Sequence, residues 1–145
     1  MHVFTYGTLM FPEVWQAVVG RAFRAVAGRA AGFAVYRVCD AVYPGIVATV
    51  DGDGVEGLVY LDVDATSLKL LDHFEDGFYR RVAIDVDCVD GERRVAECYV
   101  VPSEARGVLT DEPWLAGEFA ARGDLARFMA GFAGFERAAT ERDSS

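Results

Sequence analysis

The sequence predicts one α+β domain over residues 1–145, in which a small mixed β-barrel of about six or seven strands is flanked by helices. Two observations support this fold class. Short β-rich segments joined by turn residues dominate residues 2–101, and only two short helical patterns interrupt them. A longer helical pattern follows over about residues 112–140 as a C-terminal extension. Hairpin-connected strands with few helices are typical of an α+β domain whose sheet curls on itself.

The composition indicates a globular protein with an acidic surface. A chain of 145 residues can bury a core without metal or disulfide support. Its net charge of −9 argues against a nucleic-acid partner. No apolar run approaches the ~20 residues that span a bilayer, and the N-terminus lacks a cationic segment, so we expect no membrane partner and a cytoplasmic location. Cys39, Cys88 and Cys98 show no CxxC spacing and are expected to be reduced thiols.

The first third of the chain predicts a strand, a helix and a second strand. Residues 2–6 are β-rich and form the predicted first strand. Pro12 suits the first turn of a helix whose apolar face includes Trp15, and Gly20 is its expected terminator. Residues 33–39 are β-rich again and predict the second strand.

The middle of the chain predicts a turn, two strands and a second helix. The YPG sequence at 43–45 is the turn, and the strands follow at 46–50 and 55–63. The helix after them has Asp64 or Thr66 as its N-cap. Its apolar residues at helical spacing are Leu68, Leu71 and Phe74.

A hairpin is the clearest local prediction. Alternating apolar and polar residues flank the Asp-Gly pair at 90–91, which favours a two-residue type I′ turn. That register places Cys88 opposite Arg93 and Cys98 opposite Ala83. Because side chains alternate along a strand, the two cysteines are expected on opposite faces of the sheet, where they cannot form a disulfide.

The predicted C-terminal helix carries an apolar stripe at helical spacing. The stripe consists of Leu125, Phe128, Met129 and Phe132. In most proteins such a stripe packs against a core. The alternative interpretation is a docking surface for a protein partner.

Motifs of common catalytic sites are absent, which leaves one carboxylate as the candidate. The two histidines, His2 and His73, are isolated, and no P-loop, GxGxxG or GxSxG sequence is present, so we predict no metal and no cofactor. Glu75 ends the second predicted helix between Phe74 and Phe78. A carboxyl group against aromatic rings has a raised pKa, which suits general acid–base chemistry. The alternative is a solvated residue at a helix end.

Four motifs in a fixed order make the chain similar to a known family. They are YGTL at 6–9, YPG at 43–45, VEG at 55–57, and LDxFE at 71–75 followed by YxR at 79–81. In this combination the chain resembles the γ-glutamylcyclotransferase-like superfamily, in particular its AIG2-like branch. The resemblance covers roughly residues 2–101 and implies a compact β-barrel with a pocket at one end.

The resemblance also implies an activity and a site. The catalytic glutamate of the family falls on Glu75, and backbone N–H groups of the YGTL loop bind the acidic end of a γ-glutamyl group. The expected reaction releases 5-oxoproline from a small-molecule γ-glutamyl substrate, without cofactor or metal, in a monomer or homodimer. The candidate substrate-binding residues are Tyr6, Gly7, Thr8, Leu9, Tyr43, Tyr79 and Arg81.

Several of these assignments have a structural alternative. Gly7 either lets the backbone approach a ligand or ends a strand in a plain turn. The hydroxyl of Thr8 binds substrate or stabilises the turn, and Tyr79 lines the pocket or packs in the barrel. Arg81 pairs with substrate or forms an ion pair at the barrel rim. The whole domain is either an enzyme or a non-catalytic module that binds a small acid or a protein.

Glu97 is a rival acid. The predicted hairpin register places it opposite Ile84, on the same side as Val95 and Tyr99. An acid on an apolar face is unusual, although a one-residue bulge would turn it outward.

Overall fold

The structure, a computed structural model, describes residues 1–39, 41, 43–50, 52, 54–75 and 77–114. Met1–Trp114 form one compact unit. The predicted C-terminal helix and its apolar stripe lie outside the described residues beyond Trp114, so both remain predictions.

Within the described unit the chain has eight strands, β1 to β8, two α-helices, α1 and α2, and two short 3₁₀ turns. In chain order they are β1 (Val3–Thr5), a 3₁₀ turn (Thr8–Met10), α1 (Pro12–Val19), β2 (Ala25–Ala30), β3 (Phe33–Val38), β4 (Pro44–Ala48), β5 (Val55–Tyr60), α2 (Ala65–Phe74), β6 (Arg80–Cys88), β7 (Arg93–Val100), a 3₁₀ turn (Ser103–Val108) and β8 (Leu109–Pro113).

The strands form a closed barrel and a smaller sheet. The barrel order is β1-β5-β2-β6-β7, and parallel pairing between β1 and β7 closes it. The second sheet has the order β4-β3-β8. The predicted α+β fold with a mixed barrel is therefore confirmed, with five strands in the barrel and three beside it.

One apolar cluster fills the barrel. Alternate residues of each strand point into it, which gives β6 and β7 their buried and exposed alternation. The buried members of this cluster are Phe4, Tyr6, Ala30, Ile46, Val55, Val59, Ile84, Val86, Cys88, Ala96, Cys98 and Val100.

Helix α1 has the predicted boundaries. Pro12 occupies its first turn, where its missing N–H costs nothing. Gly20 ends the helix with a φ of 72°, a left-handed conformation that glycine adopts without strain. The buried ring of Trp15 stacks on Tyr60 of β5 at a centroid distance of 3.6 Å, which packs α1 against the barrel.

Two predictions in the first half of the chain were wrong or incomplete. Strand β2 was not predicted, because Ala25–Ala30 contains alanine, glycine and arginine in place of the β-branched residues that signal a strand. Pro44 and Gly45 were predicted as a turn but begin β4. Proline is tolerated there because it is the first residue of an edge strand, where no ladder hydrogen bond needs its N–H.

The hairpin of β6 and β7 exists, but its predicted register was wrong by one residue. Cys98 lies opposite Val82, not Ala83. The N–H of Cys88 donates to the carbonyl of Glu92 at 2.9 Å, so three residues form the turn, and the last of them, Gly91, has a φ of 89°.

The shifted register also changes the position of the cysteines. Cys88 and Cys98 both point into the barrel core, so the prediction of opposite faces was wrong. Both are free thiols in the structure, as is Cys39.

The end of the described chain also differs from the prediction. Helical structure was expected from about residue 112, whereas Leu109–Pro113 form strand β8, which pairs with β3. Among the residues described here, no helix is long and apolar enough to cross a membrane.

The glycine of the VEG motif is required by the close approach of β1 and β5. A Cβ atom at Gly57 would overlap the carbonyl oxygen of Thr5 and come within 2.8 Å of the Phe4 ring. We predict that Gly57→Ala lowers the free energy of unfolding by about 3 kcal/mol or more, because neither backbone nor a core ring can move away cheaply. Urea denaturation followed by circular dichroism measures this loss.

Gly107→Ala is the matched control. It has open space around its Cα and a φ outside the left-handed region. Its unfolding free energy is expected to stay within about 0.5 kcal/mol of the parent protein. Equal effects of the two substitutions would contradict the packing role of Gly57.

Candidate active site

Pro44 joins three of the sequence motifs in space. A Cβ atom at Gly7 would lie 2.6 Å from the Pro44 ring, so Gly7 of YGTL packs directly on YPG. The Tyr79 hydroxyl of YxR donates a hydrogen bond to the Pro44 carbonyl at 2.5 Å. The close approach predicted for Gly7 therefore exists, but the group it approaches is a proline ring of the chain itself.

The turn after Gly7 presents backbone donors. The N–H of Met10 donates to the Gly7 carbonyl at 3.0 Å, which makes Thr8–Met10 a single 3₁₀ turn. The N–H groups of Thr8 and Leu9 begin this turn, and within the described part of the chain they have no acceptor. The Tyr60 hydroxyl of β5 donates to the Leu9 carbonyl at 3.3 Å, which binds the turn to the barrel. Two N–H groups are thus available to an anion.

The side chain of Thr8 is also unengaged. The residue is buried, and none of the described residues forms a hydrogen bond with its hydroxyl. Of the two interpretations of Thr8, a hydroxyl that stabilises the turn has no contact in the structure to support it.

Tyr6 lies in the core with its hydroxyl fixed. The hydroxyl donates to the Tyr99 carbonyl of β7 at 2.7 Å. Burial raises the pKa of Tyr6 well above its ordinary value, and the nearby Tyr79, Cys98 and Glu75 add to this shift. The Tyr6 side chain is therefore a neutral hydroxyl at any physiological pH.

Glu75 is a desolvated carboxyl group at the end of α2. Its backbone N–H donates to the Leu71 carbonyl at 2.9 Å, which places Glu75 directly after the last helical turn. The residue keeps part of its surface exposed, yet burial raises the pKa of its carboxyl from 4.5 to about 8. Partial exposure together with strong desolvation describes a carboxyl group in a recess.

The surroundings of Glu75 contain hydroxyl and thiol groups. Its charge raises the pKa of Tyr79 and of Cys98, although burial is the larger cause for each. The pKa of Tyr79 is also raised by the nearby Tyr43. Among the described residues no cation lowers the pKa of Glu75, so its desolvation is not compensated.

The ring of Tyr79 lies in an aromatic wall. It packs against Phe78 at a centroid distance of 4.6 Å, with the ring planes tilted by 38°. Glu75 and Tyr43 both lie near Tyr79, and Tyr6 lies near Tyr79 and Glu75.

Arg81 is engaged in ion pairs on the outside of the barrel. Its Nε lies 3.0 Å from Asp72 Oδ1, and its Nη1 lies 3.4 Å from Glu97 Oε1. Of the two alternatives for Arg81, the structure contains the ion pair at the barrel rim. A contact of Arg81 with substrate remains a prediction.

Glu97 does not lie where the predicted register placed it. It is opposite Ala83, not Ile84, and this shift of one residue turns its side chain to the outer face, towards Arg81. Glu75 is therefore the better candidate, because its carboxyl is desolvated and no cation of the described segments lowers its pKa.

Sequence reasoning missed the contributions of β7 to the site. Cys98 and Tyr99 lie near Glu75, and the carbonyl of Tyr99 holds Tyr6. The correct register of the hairpin would have placed Cys98 in the barrel core. Within the described part of the chain, no three His, Cys, Asp or Glu side chains lie close enough to bind a metal ion.

The sequence of the chain matches known proteins over most of its length. Residues 3–116 match the family described as gamma-glutamyl cyclotransferase, AIG2-like. AIG2-like protein C of Arabidopsis thaliana is 35% identical over 119 residues, which cover 81% of this chain and 64% of that protein. AIG2-like protein A of the same plant is 30% identical over 66% of this chain and 57% of its own length. The chain thus spans less than two thirds of both relatives.

Solved structures share the fold. The solution structure of At5g39720.1 from Arabidopsis thaliana has a TM-score of 0.69 and 26% identity, and the match covers 94% of this chain and 91% of that one. The crystal structure of an AIG2-like protein from Mus musculus has a TM-score of 0.61 and 24% identity, with 79% and 87% covered. The motifs that meet at Pro44 and the match over residues 3–116 lead to one conclusion. This chain belongs to the AIG2-like family of gamma-glutamyl cyclotransferases.

Proposed function

We propose that this protein is a γ-glutamyl cyclotransferase, which releases 5-oxoproline from a γ-glutamyl amide and uses Glu75 as general acid and base. The observation that carries the proposal is the desolvated Glu75 carboxyl, with a pKa raised to about 8 by burial. Tyr6 and Tyr79 lie beside it, and through Pro44 the site is continuous with the turn that starts at Gly7. Membership of the family supports the same reaction.

The reaction needs no nucleophile from the protein. The α-amine of a γ-glutamyl group attacks the γ-carbonyl carbon of the same group, so one C–N bond forms and closes the lactam ring. The C–N bond to the leaving amine then breaks. A site that holds the γ-glutamyl chain folded makes this attack intramolecular and lowers the barrier by several kcal/mol.

Two proton transfers remain, and one carboxyl group can perform both. The α-ammonium group must lose a proton before it attacks, and the leaving nitrogen must gain one. Free α-amino groups have a pKa of about 8, which is close to the pKa of Glu75. The carboxylate therefore accepts the ammonium proton at little cost and donates it to the leaving nitrogen.

Binding of the substrate would itself prepare Glu75. In the free protein at neutral pH the raised pKa keeps most Glu75 side chains protonated. A substrate ammonium group beside the carboxyl favours its charged form. The cation that the described residues do not supply would thus come from the substrate.

The other site residues take supporting roles in this proposal. The N–H groups of Thr8 and Leu9 bind the substrate α-carboxylate, and the Thr8 hydroxyl adds a donor. The rings of Tyr43 and Tyr79 form the wall on the side of the leaving group. We also propose that the protein acts in the cytoplasm, on a small molecule.

The alternative is a module on the same fold that binds a small acid or a protein without catalysis. The environment of Glu75 favours the enzyme. Burial of a carboxyl group costs folding free energy, and strongly shifted pKa values cluster at sites where protons are transferred.

The activity test is a mass-spectrometric assay for 5-oxoproline with γ-glutamyl amino acids, γ-glutamyl amines and glutathione. We expect release by the parent protein and a loss of roughly a hundredfold or more with Glu75→Gln, which keeps the shape but cannot move a proton. Glu56→Gln is the matched control and should retain activity, because the side chain of Glu56 is 85% exposed and lies outside the site. Loss with Glu97→Gln but not with Glu75→Gln would assign the acid to Glu97.

The pH dependence of the reaction gives a second prediction. In the free protein Glu75 gains a proton as the pH falls below about 8. We therefore expect kcat/KM to decrease on the acid side of about pH 8, since the base form of Glu75 is lost. Steady-state rates between about pH 5 and 9 test this. An acid limb centred near the ordinary carboxyl value of 4.5 would contradict the role of a desolvated Glu75.

Folding stability tests the environment of Glu75 without any substrate. Unfolded Glu75 loses its proton near 4.5, whereas folded Glu75 keeps it up to about 8. Between these values the folded state binds more protons, so its stability falls as the pH rises through this window. Glu75→Gln removes this penalty. We expect its unfolding free energy, relative to the parent protein, to increase by on the order of 4 kcal/mol from about pH 5 to about pH 9.

The control for this measurement is Glu56→Gln. The side chain of Glu56 is 85% exposed, so its removal should leave the pH dependence of stability as it is in the parent protein. The same pH dependence in the parent protein and in Glu75→Gln would show that Glu75 is solvated after all.

A further inference from the structure

The last turn of α2 is bound to the barrel by polar side chains. The Tyr99 hydroxyl donates to Asp72 Oδ1 at 2.6 Å, and Arg81 Nε lies 3.0 Å from the same oxygen. Arg81 and Tyr99 are opposite partners in the β6–β7 ladder, so both reach Asp72 from one place on the sheet. We call Asp72, Arg81 and Tyr99 the tether.

Helix α2 has a buried part that precedes Asp72. Its fully buried residues, which include Leu68 and Leu71, come before Asp72 in the chain. After Glu75 the chain passes through Gly77, which has a φ of 111° and open space around its Cα. Gly77 adopts this left-handed conformation without strain because it has no side chain.

Asp72 lies in the chain where a contact can restrain Glu75. The two residues are three positions apart, so they lie on the same side of the helix end, about one turn from each other. A contact that fixes Asp72 therefore fixes the turn from which Glu75 extends.

Tyr99 also connects the tether to the inside of the site. Its side chain reaches Asp72 on the outer face, while its carbonyl accepts the hydrogen bond of Tyr6 on the inner face. Burial is the main cause that raises the pKa of Tyr99. The hydrogen bond to Asp72 and the charge of Glu75 raise it further, whereas Arg81 lowers it. One residue of β7 thus holds both Asp72 and Tyr6.

We propose that Asp72, Arg81 and Tyr99 are positioning residues, which hold the end of α2 so that the Glu75 carboxyl meets both nitrogens of the substrate. This inference rests on the proposed function. Proton transfer needs donor and acceptor within hydrogen-bond reach, and a displacement of about 1 Å costs up to a hundredfold in rate. The tether is expected to act on the chemical step more than on substrate binding.

Arg81 keeps its position through a second carboxylate. Glu97 lies 3.4 Å from Arg81 Nη1 and is 19% exposed in its side chain. The guanidinium group is thus fixed between Glu97 and Asp72, which gives Asp72 a rigid partner on the barrel. This explains why the YxR motif contributes both a pocket ring and an arginine that points away from it.

The test compares Tyr99→Phe with the parent protein. The substitution keeps the buried ring and removes only the hydroxyl that holds Asp72. We expect kcat to fall by roughly tenfold to a hundredfold, with KM within about twofold. Amide hydrogen exchange at Glu75, whose N–H is bonded to Leu71, should become faster, while exchange in the β6–β7 hairpin stays unchanged.

Two variants of Asp72 test the same contact if Tyr99→Phe fails to fold. Asp72→Asn keeps an oxygen that accepts from Tyr99, whereas Asp72→Ala does not, so kcat should be higher in Asp72→Asn. Glu104→Gln is the control. It weakens the Arg80–Glu104 ion pair of 2.8 Å, which does not touch α2, and should leave kcat unchanged.

The outcomes separate the tether from the proposed function. Unchanged exchange at Glu75 in Tyr99→Phe would overturn the tether, whether or not the protein is an enzyme. Faster exchange with unchanged kcat, or a raised KM with unchanged kcat, would overturn its role in positioning. If the parent protein turns over no γ-glutamyl compound, the proposed function fails, and faster exchange would then still establish that the tether holds Glu75.

Discussion

The packing of Gly7 against the ring of Pro44 is the contact on which the site depends. Gly7 follows the first barrel strand and Pro44 begins a strand of the second sheet, so their contact joins the two sheets beside Glu75. Any side chain at Gly7 would overlap the proline ring. The Tyr79 hydroxyl, bound to the Pro44 carbonyl, then sets the aromatic wall. The YGTL, YPG and YxR motifs are far apart in the chain, and their contacts with Pro44 bring them together.

The Glu75 carboxyl is desolvated by burial near Tyr79. The carboxyl lies among the rings of Tyr6 and Tyr79 and the thiol of Cys98, none of which is a cation. The hydroxyl groups of both tyrosines donate to backbone carbonyls, so the rings are held in place and the hydroxyl protons are engaged in these hydrogen bonds. Among the residues that the structure describes, the Glu75 carboxyl has no charged partner, and in the proposed reaction a substrate ammonium group supplies one. The proposed acid–base role and the predicted loss of stability at high pH have the same physical origin.

The sequence predicted the barrel, helix α1, the hairpin and the raised pKa of Glu75, because each depends on local pattern or on motif order. The errors arose where local signals are weak. The turn at residues 90–91 gave a register one residue out, since Asp-Gly suits both two-residue and three-residue turns, and this misplaced Glu97 and Cys98. Strand β2 lacks β-branched residues and takes its conformation from pairing with β5. The position of Tyr99 could not be predicted, because the Tyr6 and Asp72 contacts of Tyr99 join residues far apart in the chain.

The pKa of the Glu75 carboxyl in the free parent protein is the measurement that tests this account most directly. Carbon-detected NMR of protein labelled at the glutamate carboxyl carbons would follow each group through a pH titration, and Glu75→Gln would identify the Glu75 signal by its absence. We expect that signal to titrate near pH 8, well above the ordinary carboxyl value of 4.5. A midpoint near 4.5 for Glu75 would mean that water reaches the carboxyl freely, and it would contradict the central claim.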